Sequence, residues 1–404
     1  MYDVICIGSA TQDVFIKSDL SKIVRISDAL SEKSLLCYDY GSKVSIDNIQ
    51  FLTGGGSSNT AVGFARLGLK AAFVGKVGKN DDAGTRVIRE LESEGVDVRY
   101  AAYSRTYGTG YSVILVSFEG DRTALTFRGA NGSLDESDVD LTMLDAAKWL
   151  YMSGLSGRSA EMAPSLSRSA HEKGVKIAFN PGSSQLKMKI KGLSAILSFT
   201  DVLILNREEA ELVTGIEGTR QHVDDQSCTL CGKCIEACPE GILQKSQSSV
   251  VARGVEKCRY CGACLKACDN GALLMEPWQY NVGPVFDALL ATGVKLVVIT
   301  DGRAGAQVSD GENLHFFPAY ATPTVDTLGA GDAFGSAFVT AMILYGSIPK
   351  AIQFGAANAS SVVRYFGAKP GLLTREEIED FIKEKASEPP YHVRTIPLKK
   401  AAVK

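Results

Sequence analysis

Eight of the ten cysteines in this 404-residue chain fall between positions 228 and 268, inside an otherwise regular alternation of apolar runs and amphipathic segments. That interruption constrains the fold more than any other feature. Before it, Tyr2–Ile7, Ala71–Val77, Lys148–Met152, Lys176–Phe179 and Asp201–Leu205 read as buried strands, and Asn59–Leu67 and Ala83–Glu94 as helices, in the βαβ manner. After it the rhythm resumes, with a helix expected at Val282–Thr292 and a strand at Lys295–Thr300. Leu35–Phe51 and Tyr100–Phe127 show the two-residue alternation of half-exposed strands, so a small separate sheet is expected over the main one. The division that follows is an α/β domain in two parts, 1–220 and 280–385, with lid strands within about 13–52 and 98–129. An insert occupies 221–279, and 386–404 reads as an extended, weakly ordered basic tail. A surface loop accepts such an insert at little cost in loop entropy.

Composition removes several classes. With 45% hydrophobic and 22% charged residues the chain can bury a full core. The balance of 43 basic against 46 acidic side chains offers no basic field for nucleic acid or a membrane surface. No window approaches the ~20 apolar residues of a membrane span. Met1-Tyr-Asp-Val-Ile-Cys-Ile-Gly lacks the basic start of a signal peptide, so the expected location is the cytoplasm. Clustered cysteines in a reducing compartment point to metal rather than disulfides.

The cysteines form a motif, Cys228-x2-Cys231-x2-Cys234-x3-Cys238-Pro, repeated 30 residues later as Cys258-x2-Cys261-x2-Cys264-x3-Cys268. Three thiolates from one turning loop grip one cubane cluster, and the cysteine after the longer gap ligates the other. On that logic Cys228, Cys231, Cys234 and Cys268 hold one 4Fe–4S cluster, and Cys258, Cys261, Cys264 and Cys238 the second. Zinc, the competing metal, usually takes separated Cys-x-x-Cys pairs. Residues 224–276 resemble a bacterial-type two-cluster ferredoxin, in Gly232 and Gly262 and in the paired tails Gly241-Ile-Leu and Gly271-Ala-Leu-Leu. Asp269 departs from the pattern, standing where a proline is usual. Such a module could sense redox state, exchange electrons with a partner protein, or only staple a segment too small to bury its own core.

In the host, Asp326-Thr-Leu-Gly-Ala-Gly-Asp332 precedes a helix of small residues, Ala333–Tyr345. Gly329, Ala330 and Gly331 would present unpaired N–H groups at a helix N-terminus, an anion site suited to a phosphoryl group. A carboxylate beside it, Asp332, can accept the proton of an attacking hydroxyl. A tight turn with a capping aspartate is the plainer reading, but it accounts for less of the run.

This run resembles the C-terminal signature of the ribokinase/PfkB sugar-kinase family, and the resemblance continues in family order over residues 1–385. Gly54-Gly55-Gly-Ser-Ser-Asn59 is similar to the N-terminal glycine-rich element, and Asn206-Arg-Glu-Glu209 to the element that organises Mg²⁺ and phosphates. Thr300-Asp-Gly302-Arg-Ala-Gly305 is similar to the nucleotide-binding turn, and Asn358 matches a position near the adenine ring. Asp13, on the turn after the first strand, matches the acid that binds a substrate hydroxyl, and Asp326 one ligand of a monovalent cation such as K⁺.

The resemblance implies a ribokinase-like α/β fold with a mainly parallel sheet, flanking helices and a β-sheet lid. It implies phosphorylation, by ATP with Mg²⁺, of a hydroxyl on a small polyhydroxylated substrate; a homodimer is the assembly considered. Asp332 would be the base and the Gly329–Gly331 amides the anion site. Asp13, Gly54, Gly55 and Asn59 would hold the acceptor, and Asn206, Glu209, Thr300, Gly302, Gly305 and Asn358 the nucleotide and its metal. Leu150-Tyr-Met-Ser-Gly-Leu-Ser lacks the glutamate with which ribokinases hold ribose. Tyr38, Tyr40, Tyr107, Tyr111 and Phe127 could stack on a base, which keeps a nucleoside kinase as the alternative, or could simply pack the sheet. A third reading, an electron-transfer or docking protein on a degenerate kinase scaffold, fits poorly with so many retained motifs.

Overall fold

The computed structural model describes residues 1–17, 21–27, 32–117, 122–216, 219–221, 223, 227–246, 249–252, 263–273, 279–281, 283–387 and 391–398. Nine strands form one sheet, in the spatial order Arg394–Pro397, Asn313–Phe317, Ala306–Ser309, Leu296–Thr300, Val202–Asn206, Lys176–Phe179, Ala147–Met152, Tyr2–Ile7 and Ala71–Val74. From Leu296–Thr300 to Ala71–Val74 all neighbours are parallel, and the remaining three strands are antiparallel additions. The parallel strands are continuous apolar runs because both faces are covered. Val4 and Cys6 enter one core with helices Gly56–Arg66, Ala330–Tyr345 and Ile348–Val362. Ile5 and Ile7 enter the other, under Arg158–Glu172, Lys189–Leu197 and Gly283–Leu290.

A second sheet has the order Arg122–Phe127, Gly110–Val116, Thr11–Lys17, Asn48–Gly54. Asp13 therefore sits within a strand, not on a turn after the first one. The chain leaves Ile7, bends at Gly8–Ala10, and pairs at once with Gly110–Val116 in parallel. The bend is held by Asn131, whose side chain accepts from Ala10 N–H at 2.9 Å and donates to Ala10 C=O at 2.8 Å. Register sorts the faces. Asp13 lies opposite Ser112 and Leu52, so those residues share one face, which is turned to the main sheet. Gln12 lies opposite Tyr111, which lies opposite Phe127, so these aromatics share the other face with Phe51 and Leu125. Tyr111 and Phe127 thus cannot stack on a substrate beside Asp13; a one-residue step in a strand reverses the face. On that outer face Ile49, Phe51, Tyr111, Leu125 and Phe127 are exposed.

The cysteine segment is bracketed by a two-stranded ribbon: Thr219–Gln221 pairs antiparallel with Gln279–Asn281. Its two halves repeat each other. In one, Cys238 N–H donates to Ile235 C=O and Gly241 N–H to Cys238 C=O; in the other, Cys268 N–H donates to Leu265 C=O and Gly271 N–H to Cys268 C=O. Gly241 and Gly271 both have φ 61°. Val223, Cys234, Ile242, Leu243, Val250, Ala272 and Leu273 make a small core, against which Cys228, Cys238, Cys264, Cys268 and Ala304 of the host pack. Cys258 and Cys261 lie outside the described residues. Among the described residues no group of three or more His, Cys, Asp or Glu is gathered closely enough to hold a metal ion.

At the C-terminus, Arg394–Pro397 extends the main sheet by pairing with Asn313–Phe317, where the sequence suggested a weakly ordered tail. An exposed edge strand is a ready template for any extended segment. No described helix is long and apolar enough to cross a membrane.

Candidate active site

The C-terminal ends of the parallel strands and the inner face of the lid sheet converge on one cleft, the place where open α/β sheets bind ligands. Asp332 enters it from the first turn of Ala330–Tyr345. Asn59, on the helix that follows the glycine run, donates from Nδ2 to Asp332 Oδ2 at 2.8 Å. Its own Oδ1 is buried and has no hydrogen-bond partner. Burial pushes the Asp332 carboxyl up to about 6; the Asn59 hydrogen bond and the positive charge of Lys369 oppose that rise, while Glu209 and Asp13 add to it.

The glycine run is shaped by close approach. A Cβ at Gly54 would meet Asp13 Oδ2 at 1.9 Å, so the Asp13 carboxylate rests directly on the Gly54 backbone. Asp13 accepts from Thr11 Oγ1 at 2.9 Å and is raised by burial, with the Thr11 and Ser112 hydrogen bonds and the Lys369 charge acting against the rise. Asp13, Gly54, Gly55, Asn59 and Asp332 therefore adjoin one another.

On the other side of the cleft, Asn206 and Thr300 end adjacent strands and are paired in register. Asn206 Oδ1 accepts from Glu209 N–H at 2.8 Å, and Glu209 Oε2 accepts from Asn206 N–H at 2.8 Å. This is a reciprocal capping box, so these side chains both start a helix and stand at the cleft. Burial raises the Glu209 carboxyl. The turn over Gly302 and Gly305 is closed by Asp301 N–H donating to Gly305 C=O at 2.8 Å, and Arg207 Nε donates to Asp301 at 3.0 Å.

Two expected site residues are engaged otherwise. Asn358 is fully buried, donating to Ala333 C=O at 3.0 Å and accepting from Leu373 N–H at 2.9 Å. It ties two helices and a loop together and presents no surface to a nucleotide. Asp326, expected to hold a monovalent cation, accepts from Leu328 N–H and Gly367 N–H at 3.0 Å each and is ion-paired with Arg122.

Sequence reasoning passed over Lys369. It is 4% exposed, and Nζ donates to Thr53 Oγ1 at 2.6 Å and Ser58 Oγ at 2.8 Å, with Glu90 at 3.5 Å. It joins the strand and helix that flank the glycine run to the Phe366–Gly371 loop. The one available signal was a charged residue between Gly367-Ala and Pro-Gly371, which in sequence looks like an ordinary exposed loop.

Over residues 3–266 and 281–375 the sequence matches the pfkB family carbohydrate kinases. The chain belongs to that family. Among similar proteins, the ribokinase of Haemophilus influenzae is 27% identical over 348 residues, covering 85% of this chain and 91% of that protein. The 5-dehydro-2-deoxygluconokinase of Geobacillus kaustophilus is 26% identical over 352 residues, covering 82% and 84%. In structure, the Arabidopsis thaliana ribokinase complexed with ribose and ATP superposes with a TM-score of 0.65 at 20% identity, covering 94% of this chain and 98% of that one. A nucleoside kinase from Methanocaldococcus jannaschii of the ribokinase family gives 0.60 at 16% identity, covering 95% and 99%. These structural likenesses carry the fold: this PfkB-family carbohydrate kinase has the ribokinase-like α/β architecture with a β lid.

Proposed function

We propose that this kinase transfers the γ-phosphoryl group of ATP to a hydroxyl of a sugar or sugar derivative held between Asp13, Asn59 and the Gly54–Gly55 backbone. The observation that carries the reading is the 2.8 Å hydrogen bond from Asn59 to Asp332, which joins the glycine run to the helix N-terminus behind the Gly329–Gly331 turn. The unpartnered Oδ1 of Asn59 waits for a hydroxyl donor, because a buried acceptor left unpaired is costly. Asp332, with a carboxyl raised to about 6, is ionised at neutral pH yet basic enough to take the hydroxyl proton in the transition state. Ala330 N–H turns back onto Thr327 C=O at 3.3 Å, so the Gly329 and Gly331 amides at the N-terminus of a long helix stabilise the negative charge that accumulates on the transferred group. Asn206 and Glu209 offer oxygen donors suited to the hard Mg²⁺ that accompanies ATP, which neutralises phosphate charge. The lid face bearing Asp13 closes the cleft and keeps water from competing with the acceptor.

A sugar is favoured over a nucleoside because the inner lid face beside Asp13 carries Ser112 and Leu52, with Tyr111 and Phe127 turned away and Phe15, on the same face, buried edge-on against Phe366. ADP release measured over a panel of sugars, sugar derivatives and nucleosides tests this, and a clear preference for a nucleoside would reject it. Asp13→Ala and Asn59→Ala should each raise the acceptor KM by about tenfold or more, since each removes a hydrogen bond worth ~1–3 kcal/mol when buried. The ATP KM should stay unchanged; a main effect on ATP would mean the two halves of the cleft are assigned the wrong way round. The exposed apolar outer lid face is the surface we assign to a second copy in a homodimer.

For the insert at 221–279 we propose two 4Fe–4S clusters on the ligand sets read from the spacing. Support comes from the repeated backbone bonding of the two halves and from Cys228, Cys234, Cys238, Cys264 and Cys268 facing one small core. Cys234 is raised by burial and then by the negative charge of Cys268, with Cys231 adding to the rise. Clusters there would supply one-electron chemistry or hold the segment together. Anaerobically purified protein should be brown, with about eight irons and eight inorganic sulfides per chain. Colourless protein carrying zinc would refute the assignment.

A further inference from the structure

Arg122 starts the edge strand of the lid and lies on the same face as Asp13: it pairs with Val116, which lies opposite Lys17, two steps of two along from Asp13. Its guanidinium crosses the cleft to the phosphate side. There Nη1 is ion-paired with Asp326 and Nη2 donates to Thr327 Oγ1 at 2.7 Å. One planar fork thus grips two consecutive residues at the base of the Gly329–Gly331 turn, a geometry a lysine ammonium cannot reproduce. The Asp326 side chain is only 3% exposed, and its other bonds, from Leu328 N–H and Gly367 N–H, bind it into the same turn.

A buried carboxylate next to a turn built to hold phosphate is electrostatically adverse, because its charge repels the group the amides are meant to bind. A cation on Asp326 removes that repulsion. Here the cation is supplied by the lid, so it arrives only when the lid lies over the cleft. We infer that Arg122 is a positioning residue for phosphoryl transfer, which neutralises Asp326 and holds Thr327 so that the anion turn becomes competent on lid closure. The guanidinium thereby takes the place expected for an inorganic monovalent cation. This rests on the kinase reading of the Gly329–Asp332 run.

The test uses the full-length enzyme and its Arg122→Ala, Arg122→Lys and Thr327→Val variants, with acceptor-dependent ADP formation as the first readout. Arg122→Ala should lower kcat by about 10–100-fold, the scale expected when reacting groups are slightly misplaced, and leave the acceptor KM within about threefold. Arg122→Lys should restore only part of the loss, and Thr327→Val should show a smaller fall of the same kind. Guanidinium chloride at tens of millimolar should raise the Arg122→Ala turnover and not that of the wild type, a rescue that a merely structural role would not show. Wild-type turnover should not depend on whether KCl or NaCl is present. An Arg122→Ala enzyme with wild-type kcat, a loss that guanidinium leaves untouched, or a wild type that requires K⁺ overturns the inference while the kinase reading stands. A wild type with no acceptor-dependent ADP formation overturns both.

Discussion

Asp332→Asn should lower kcat by about 10²–10⁴-fold, the usual worth of a positioned general base, and leave ATP binding nearly unchanged. The amide is isosteric and can still accept from Asn59, so the loss isolates the proton-accepting role. Turnover within about threefold of wild type would remove Asp332 as the base. In the wild type, kcat should rise with pH through about 6 and then level, because only the ionised carboxylate can take a proton. The same shift has a consequence for stability. The folded carboxyl, at about 6, lies above the ordinary value of 3.8, so the folded state favours the protonated form. The stability that form contributes is fully present below about pH 4 and is lost as pH rises through about 6. A neutral amide avoids that loss. Asp332→Asn should therefore be more stable than wild type at pH 8 by about 1–3 kcal/mol, with the difference vanishing near pH 4, by urea denaturation. A catalytic carboxylate held at the cost of stability is a common compromise at active sites.

The second large effect is expected at Gly329. Its φ is 77°, and a Cβ there would meet Ala368 Cβ at 2.3 Å and Ala368 Cα at 2.5 Å. The second contact is with backbone, which cannot yield by a rotamer change. Gly329→Ala should cost about 2–4 kcal/mol from strain and overpacking together. On the proposed reading, in which the amides of this turn bind the phosphoryl group, it should also lower kcat by about 100-fold, since they shift with the turn. The Ala368 loop also carries Gly367, bonded to Asp326, and Lys369, bonded to Thr53 and Ser58, so the displacement reaches both sides of the cleft. Gly302→Ala is the control: its φ is 50°, but nothing lies within 4 Å of the added atom. It should cost only about 1 kcal/mol, the price of a left-handed residue without a clash. Equal effects at the two positions would mean that strain alone, and not the fit against Ala368, accounts for the result.

How far the sequence could be read depended on whether its information was local. Tyr2–Ile7 and Lys176–Phe179 were legible residue for residue, because a strand covered on both faces is an uninterrupted apolar run. Asp332 with its glycines stood out because a glycine turn that opens a helix is made by consecutive residues. The rhythm of the sequence breaks near Gln221 and resumes near Tyr280, and both lie in the ribbon, where Gln221 pairs with Gln279 and Arg220 with Tyr280. Asp13 was put on a turn, since Gly8-Ser-Ala10 reads as a loop and the parallel partner of Thr11–Lys17 lies about a hundred residues away. Asn358 is a buried amide that ties helices together, and in a sequence such an amide looks like one that meets a ligand.

Taken alone, the sequence determined the layered α/β architecture, the glycine turn that opens Ala330–Tyr345 and the kinase family, all of which follow from short-range pattern and from side chains adjacent in the chain. The tertiary structure decided which charges meet. Asn59 with Asp332, Arg122 with Asp326, and Lys369 with Thr53 and Ser58 join positions 204 to 316 residues apart. No periodicity encodes such pairs, because each is created only when the lid sheet and the helices settle around one cleft. It also decided which lid aromatics lie on the face opposite Asp13, since that turns on strand register, where a step of one residue exchanges the inner face for the outer.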